Sequence, residues 1–277
     1  MLESKIGLGT VQFGMAYGIS NKNGQTSNAE VAQILKLAKD NNILILDSAS
    51  AYGNSEEVLG ENDLSCFNII SKFMPPKDGR SILIQFEESL KSLGVNSIYG
   101  YLAHRPLNLI ENPSRWAELS KIKSSNRVQK IGFSLNEPSE LSYLLEKNLI
   151  PDLVQVPYNY FDRRFENEII KLKQLGCEIH TRSTFLQGLF FMSPEDLSDF
   201  FDEIKPSLGQ LQKISTLNGA LLRFVLEKDF VDKTIIGVEN VNQLKDNIKS
   251  IQNTSALPDL ENHINEDILI PSRWPTN

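Results

Sequence analysis

The chain has 277 residues, of which 40% are hydrophobic, and this is enough to bury the core of one large domain. The formal net charge of −7 argues against a nucleic-acid partner, because such partners are held by basic patches. The first ten residues lack the pattern of a secretory signal, and no segment approaches the roughly 20 apolar residues of a membrane span, so we expect a cytoplasmic protein with no membrane partner.

Strand-like and helix-like patterns alternate along the first half of the chain. Short apolar runs predict strands at 5–9, 43–46, 67–70 and 98–103. Apolar residues at helical spacing predict helices at 31–38, 55–59, 82–93 and 114–123. Ser27 and Glu30 have the spacing of a capping box ahead of the first helix, and Gly94 is placed to end the third.

The second half continues the alternation. Further strands are predicted at 128–133, 153–156, 177–181 and 234–236, and further helices at 139–146, 165–172, 220–226 and 241–251. A longer connection covers 185–205. Eight strands alternating with helices favour an α/β fold, a closed (β/α)8 TIM barrel that forms a single domain over residues 1–277. An open doubly wound sheet is the alternative, although no GxGxxG motif lies near the first strand.

Polar residues suited to catalysis follow three consecutive predicted strands. Asp47 ends the second strand and Tyr52 lies in the loop after it, while Lys72 and His104 follow the third and fourth strands. Strand ends converge on one rim of a barrel, so these side chains are expected to meet there. An ammonium near a phenol stabilises the phenolate, and Asp47 would orient and charge-balance Lys72. Each residue alone has a common structural explanation, but their joint placement predicts a catalytic site.

Several motifs in order resemble the aldo/keto reductase family. They are GLGTVQFG at 7–14, DSASAYGNSEEVLGE at 47–61, SK at 71–72, AHRP at 103–106, IGFS at 131–134, VQVPYN at 154–159, STFLQGL at 183–189 and IIGVENVNQLKDN at 235–247. The resemblance extends over almost the whole chain. It implies a nicotinamide-dependent carbonyl reductase whose catalytic residues are Asp47, Tyr52, Lys72 and His104. It implies no metal.

The resemblance also implies a cofactor site at the strand exits. Ser134 and Gln155 match positions that hold the nicotinamide carboxamide, although Leu135 departs from the Asn that commonly follows this Ser. The whole implied cofactor set is Gly9, Thr10, Asp47, Ser134, Gln155, Arg182, Ser183, Leu186, Gln187, Gly188, Gly237, Glu239, Gln243 and Asn247. Phe13, Tyr17 and Met74 are candidates for the substrate pocket, with core packing as an equal alternative.

Arg182 departs from the family pattern. Many relatives have at this position an aromatic residue that stacks on the nicotinamide ring. A guanidinium is planar and also brings a fixed positive charge, which would suit an anionic substrate or a cofactor phosphate. The alternative is an ion pair with a neighbouring Asp or Glu. We expect a substrate that carries a carboxylate, a phosphate or several hydroxyls.

The region after the eighth predicted strand bears on the choice of cofactor. Relatives that favour NADPH commonly place Lys or Arg there to bind its extra phosphate. This chain has Glu239 and Gln243 at such positions, and a carboxylate would accept hydrogen bonds from free ribose hydroxyls instead. We therefore expect NADP(H) or NAD(H) to bind with weak discrimination.

The predicted activity is reduction of a small-molecule carbonyl, in an aldehyde, ketone or open-chain sugar, with Tyr52 as proton donor. The segment RSTFLQGL at 182–189 resembles reductases associated with bacterial sugar metabolism, which implies a preference for a sugar-like substrate. One alternative is a Schiff-base aldolase that uses Lys72, and another is a redox-sensing module that binds cofactor with negligible turnover. A metal hydrolase is disfavoured because the three His residues form no HxH or HExxH pair. Cys66 and Cys177 are too few for a disulfide scaffold, and the sequence predicts no oligomeric state.

Overall fold

Eight parallel strands close into a barrel in the computed structural model, which describes residues 2–77, 80–260 and 263–275. Each strand pairs with the next in sequence, and the eighth pairs with the first. The strands are β1 (Ile6–Gly9), β2 (Ile45–Asp47), β3 (Asn68–Phe73), β4 (Ile98–Ala103), β5 (Val128–Ser134), β6 (Leu153–Pro157), β7 (Glu178–Arg182) and β8 (Lys233–Gly237). The closed (β/α)8 prediction is confirmed, and all eight predicted strands overlap observed ones.

Helices connect the strands and surround the barrel. The α-helices are α1 (Val11–Gly14), α2 (Asn28–Asp40), α3 (Ser55–Gly60), α4 (Ile82–Leu93), α5 (Asn108–Glu111), α6 (Ser114–Ser124), α7 (Pro138–Glu146), α8 (Glu166–Gln174), α9 (Lys205–Leu211), α10 (Leu217–Leu226), α11 (Val241–Ser250) and α12 (Glu266–Leu269). Short 3-10 helices span Leu2–Lys5, Leu186–Phe191, Pro194–Asp196, Asp199–Ile204 and Pro271–Arg273. No helix in the described part of the chain is long and apolar enough to span a bilayer.

The predicted capping box of α2 forms only in part. The Ser27 hydroxyl accepts a hydrogen bond from the backbone N–H of Glu30, as the pattern indicates. The Glu30 carboxylate, however, accepts from the backbone N–H of Val241 at the start of α11. This carboxylate therefore joins the first and last long helices of the barrel instead of closing its own helix end.

Side chains alternate between the outside and the inside of the barrel and so place the site. Ile45, Ile70, Leu102, Leu153 and Ile235 form one apolar cluster within the ring of strands. Successive residues of a strand point to opposite faces, so side chains two positions later also point inward, one layer nearer the C-terminal rim. In β2, β3, the end of β4, and β6 these later residues are polar: Asp47, Lys72, His104 and Gln155. The apolar layer therefore forms the floor of a polar site.

The connection after β7 differs from the sequence prediction. Instead of one loop, 186–204 contains three 3-10 helices and leads directly into α9. Their apolar side chains form a second core with residues of α10 and α12, among them Phe190, Phe201, Leu221 and Ile268. Helical spacing is hard to recognise in such short segments, so sequence periodicity did not predict them.

Candidate active site

A buried ion pair lies at the C-terminal rim of the barrel. The Lys72 ammonium donates to the Asp47 carboxylate at 2.6 Å and to the Ser48 carbonyl at 3.0 Å. It also donates to the Tyr52 hydroxyl at 3.4 Å, and it lies 5.0 Å from the centre of the Tyr52 ring. The Lys72 side chain is fully buried. Three of the four predicted catalytic residues thus meet through one ammonium group.

Lys72 is charged at neutral pH. Burial on its own would lower the pKa of Lys72, but the neighbouring Asp47 carboxylate and Tyr52 hydroxyl reverse this, and the net direction is upward. A Schiff-base aldolase needs a free amine, which this environment disfavours. The ion pair therefore favours a role for Lys72 as a fixed positive charge.

His104, the fourth predicted residue, faces Tyr52 across the rim. The two ring centres are 5.6 Å apart, and the ring planes are nearly perpendicular. Burial, and then the charges of Lys72 and Arg182, lower the pKa of His104 to about 3. Its Nδ1 atom is buried and has no hydrogen-bond partner in the described chain. His104 is thus a neutral imidazole at physiological pH and can donate one N–H.

The depressed pKa of His104 predicts an acid-dependent loss of stability. Between pH 6.5 and about 3 an unfolded histidine binds a proton that His104 does not bind in the folded state. His104 therefore does not reduce the free energy of unfolding above pH 6.5. Below that pH the free energy of unfolding falls as the pH drops towards 3. Urea unfolding at several pH values should show a shallower decline for His104→Gln than for the parent. Parallel declines would mean that His104 titrates normally.

A cleft of about 690 Å³ is lined by two of the four predicted catalytic residues, Asp47 and Tyr52. Of the predicted site residues, those that line it are Gly9, Tyr17, Asp47, Tyr52, Arg182, Ser183, Gln187, Gly188, Gly237, Glu239, Gln243 and Asn247. The volume is within the usual range for small-molecule sites. The rim, the segment after β7 and the start of α11 thus meet around one cavity.

The other predicted residues do not line this cleft; they are Thr10, Phe13, Lys72, Met74, His104, Ser134, Gln155 and Leu186. Thr10 is buried and donates to the Asp47 carbonyl, and Leu186 is buried in the second core. Phe13 is fully buried in the main core, and Met74 forms two backbone hydrogen bonds with the Gln85 amide. Neither Phe13 nor Met74 lines the cleft. Phe13 is therefore surrounded by core residues, as in the alternative to a role in the substrate pocket.

Gln155 has a free acceptor in the buried site. Its Nε2 donates to the Asp47 carboxylate at 2.7 Å, so the orientation of the amide is fixed by a charged partner. Its Oε1 is buried and has no partner in the described chain. Ser134 is buried on the neighbouring strand, where it pairs with Gln155. A ligand amide placed here would supply the missing donor, which fits the carboxamide of a nicotinamide.

The segment after β7 has an unusual backbone. Ser183, Leu186 and Gln187 have φ values of 64°, 45° and 54°, and Gly188 has 90°. Residues other than glycine rarely adopt this left-handed backbone region, and such conformations cluster at ligand sites. At Gly188 an added Cβ would lie 1.8 Å from the Ser20 hydroxyl, so only glycine fits.

Residues of the loop between α1 and α2 also line the cleft, and the sequence analysis did not identify most of them. The Tyr17 hydroxyl accepts from the Gln187 amide at 2.9 Å, and Asn23 donates to the Glu239 carboxylate at 3.1 Å. Lys22 lines the same wall. The loop has neither helical nor strand periodicity, so no local pattern indicated that it crosses to the segments after β7 and β8.

The Arg182 side chain is held by neutral groups. Its Nη2 donates to the Leu135 carbonyl at 2.8 Å and to Asn136 Oδ1 at 2.7 Å, and its Nη1 donates to the Ser183 hydroxyl at 3.2 Å. In the described ranges no carboxylate lies within ion-pair distance of this guanidinium, so the alternative of an ion pair is not observed. Arg182 and Leu135, the two positions that depart from the family pattern, are thus neighbours in the structure.

The chain matches known proteins over most of its length. It is 25% identical over 288 aligned positions, covering 84% of this chain and 82% of the relative, to the Schizosaccharomyces pombe protein named "Putative voltage-gated potassium channel subunit beta". A Pseudomonas aeruginosa crystal structure, described as "the putative aldo-keto reductase", is similar with a TM-score of 0.67 at 25% identity, covering 89% of this chain and 88% of that one.

A holo-form aldo-keto reductase from Bacillus halodurans shares the fold, with a TM-score of 0.70 at 20% identity over 92% of this chain and 88% of the other. The family model described as "Aldo/keto reductase family" matches residues 5–264. That match includes all eight strands and every residue of the rim. The chain belongs to the aldo/keto reductase family.

Proposed function

We propose that this protein is a nicotinamide-dependent reductase that converts the carbonyl group of an aldehyde, ketone or open-chain sugar to an alcohol. Family membership supports an oxidoreductase. The observation that carries the finer proposal is the Lys72 ammonium, which contacts both the Asp47 carboxylate and the Tyr52 hydroxyl. This arrangement suits a phenol that loses a proton during the reaction.

Tyr52 is the proton donor in the proposed mechanism. When a hydride reaches the carbonyl carbon, negative charge develops on the carbonyl oxygen, and the Tyr52 hydroxyl transfers its proton to that oxygen. The phenolate left behind is stabilised by the Lys72 ammonium, which lies 3.4 Å from its oxygen. Asp47 holds Lys72 in position, and solvent returns the proton to Tyr52 afterwards.

His104 orients the carbonyl group. A neutral imidazole can donate a hydrogen bond to the carbonyl oxygen without competing with Tyr52 as the acid. Its low pKa, about 3, keeps it in this neutral form. Tyr52 and His104 therefore approach the same oxygen from two sides, at a ring separation of 5.6 Å.

The proposed cofactor is a reduced nicotinamide dinucleotide, which supplies the hydride when bound. Gln155 and Ser134 would hold its carboxamide, because the unpartnered Gln155 Oε1 needs a donor. Gly188 and its left-handed neighbours would approach the phosphates, where small residues and backbone amides fit. Gln243 and Asn247, on α11, would contact the adenine end.

A carbonyl screen tests this proposal. Aldehydes, ketones and sugars are offered with NADH and with NADPH, and oxidation of the cofactor is followed by its absorbance. We expect at least one class to be reduced. No cofactor oxidation with any carbonyl, despite measurable cofactor binding, would contradict a reductase and favour a cofactor-binding module with negligible turnover.

A cofactor-binding module with negligible turnover is the second candidate. The Schizosaccharomyces pombe relative is named for a channel subunit, not for an enzyme. The four residues Asp47, Tyr52, Lys72 and His104 favour turnover in this chain, since a binding module has no need of a proton donor. The carbonyl screen separates the two candidates.

We expect weak discrimination between NADH and NADPH. Glu239 lines the cleft and is held by Asn23, and a carboxylate there would repel an added phosphate. The two affinities should differ by no more than about tenfold, or about 1.4 kcal/mol. Fluorescence titration with both cofactors measures this, and Glu239→Arg should shift the preference towards NADPH. A hundredfold preference for NADPH in the parent would reveal a cationic site, with Lys22 as the first residue to replace by Gln.

A further inference from the structure

Arg182 brings a positive charge into the cleft that no carboxylate of the described residues pairs with. Arg182 lines the cleft together with Asp47 and Tyr52. In the described ranges no Asp or Glu oxygen lies within 4.0 Å of it, whereas the surface residues Arg127 and Arg223 each pair with a glutamate. A cation in a partly buried site gains most from an anionic partner.

Neutral acceptors fix the guanidinium without consuming all its donors. Leu135 and Asn136 occupy both hydrogens of Nη2, and Ser183 occupies one on Nη1. An arginine has five N–H groups, so one on Nη1 and one on Nε have no protein partner in the described chain. Nε has no partner among the described residues and is not a buried atom, so its N–H is accessible to a ligand.

The Arg182 charge acts where the carbonyl would react. It is among the causes that lower the pKa of His104, after burial and Lys72. It also counteracts the burial that raises the pKa of Tyr17, another residue that lines the cleft. Arg182, Tyr17 and Tyr52 all line the same cleft, so this charge shares one cavity with the proposed proton donor.

We propose that Arg182 recognises an anionic group, a carboxylate or a phosphate, that the substrate carries beside its reacting carbonyl. This inference rests on the proposed reductase function and defines its substrate class. Asn136 acts as a positioning residue, because its Oδ1 holds the guanidinium at 2.7 Å. A charge-assisted hydrogen bond to such an anion makes the affinity depend strongly on Arg182.

Matched substrates and Arg182→Gln provide the test. One pair is a 2-oxo carboxylate and its neutral amide, and the other is a phosphorylated aldose and the same sugar without phosphate. For the preferred anion we expect Arg182→Gln to raise KM by about 10- to 100-fold, and for its neutral partner by less than about threefold. The pair that responds identifies carboxylate or phosphate. Arg127→Gln makes the same charge change on the surface and should affect neither substrate.

Asn136 provides a second test, in which the charge beside Arg182 changes while Arg182 itself is not replaced. Asn136→Asp places a carboxylate at the position of Oδ1. It should raise KM for the anionic substrate as much as Arg182→Gln does. Asn136→Ala only releases the guanidinium and should raise KM for the anion by about three- to tenfold, with kcat unchanged. Equal effects of the Asp and Ala variants on KM would contradict recognition through charge.

Other outcomes are separable. Arg182→Gln could raise KM equally for the charged and the neutral substrate, or raise the Kd of the reduced cofactor as much as it raises KM for the anion. Either result overturns this inference while the reductase proposal stands. If no carbonyl is reduced, thermal unfolding of the protein with oxalate or inorganic phosphate decides. A stabilisation that Arg182→Gln abolishes upholds the anion site, and no stabilisation by either probe overturns it.

Discussion

Replacing Tyr52 with Phe should lower the turnover of the best carbonyl substrate by about 10²- to 10⁴-fold, the usual contribution of a general acid. The ring and its contact with His104 remain, and only the hydroxyl is lost. Lys72 keeps the Asp47 carboxylate and the Ser48 carbonyl as acceptors, so the buried charge stays paired. Cofactor affinity should therefore change by no more than about threefold, or about 0.7 kcal/mol.

Steady-state kinetics and cofactor titration on the same preparations check this expectation. Tyr143→Phe is the matched control, because it removes the same hydroxyl from an exposed side chain on α7. The control should keep parental turnover. Parental turnover in Tyr52→Phe would remove Tyr52 from the role of proton donor, and a large loss of cofactor affinity would indicate a binding role instead.

The strands were predictable because their apolar runs are continuous, but their polar ends were not. Lys72 and Arg182 lie within β3 and β7, whereas the sequence prediction ended these strands earlier. A polar residue interrupts an apolar run even when a partner satisfies it. Residues that carry the proposed chemistry therefore obscure the ends of the elements that position them.

Contacts between distant segments account for what sequence reasoning missed in the site. Nothing local to Arg182 indicates that the carbonyl of Leu135 and the amide of Asn136 hold it, since β6 and α8 intervene in sequence. Lys22 in the cleft is a similar case. The proximity of Asp47, Lys72 and His104 was easier to predict, because the ends of β2, β3 and β4 share one rim in a barrel.

The pair of Lys72 and Asp47 should also control stability. Lys72→Met removes the ammonium and leaves the Asp47 carboxylate almost fully buried, with the Gln155 amide as its one side-chain donor in the described chain. Breaking a buried pair in this way typically costs about 3 to 5 kcal/mol of unfolding free energy. Turnover should fall as well, because no cation stabilises the Tyr52 phenolate. Guanidinium unfolding and kinetics measure the two losses.

The double variant Asp47→Asn, Lys72→Met distinguishes charge from packing. It removes both charges and keeps an amide at position 47, so much of the lost stability should return. Turnover should stay low, because the proposed mechanism still lacks the ammonium beside Tyr52. Recovery of stability without activity would show that the fold needs charge balance at this rim while the chemistry needs Lys72 itself. A double variant as unstable as Lys72→Met would attribute the loss to the missing lysine side chain, and a double variant with parental turnover would exclude Lys72 from the proposed proton transfer.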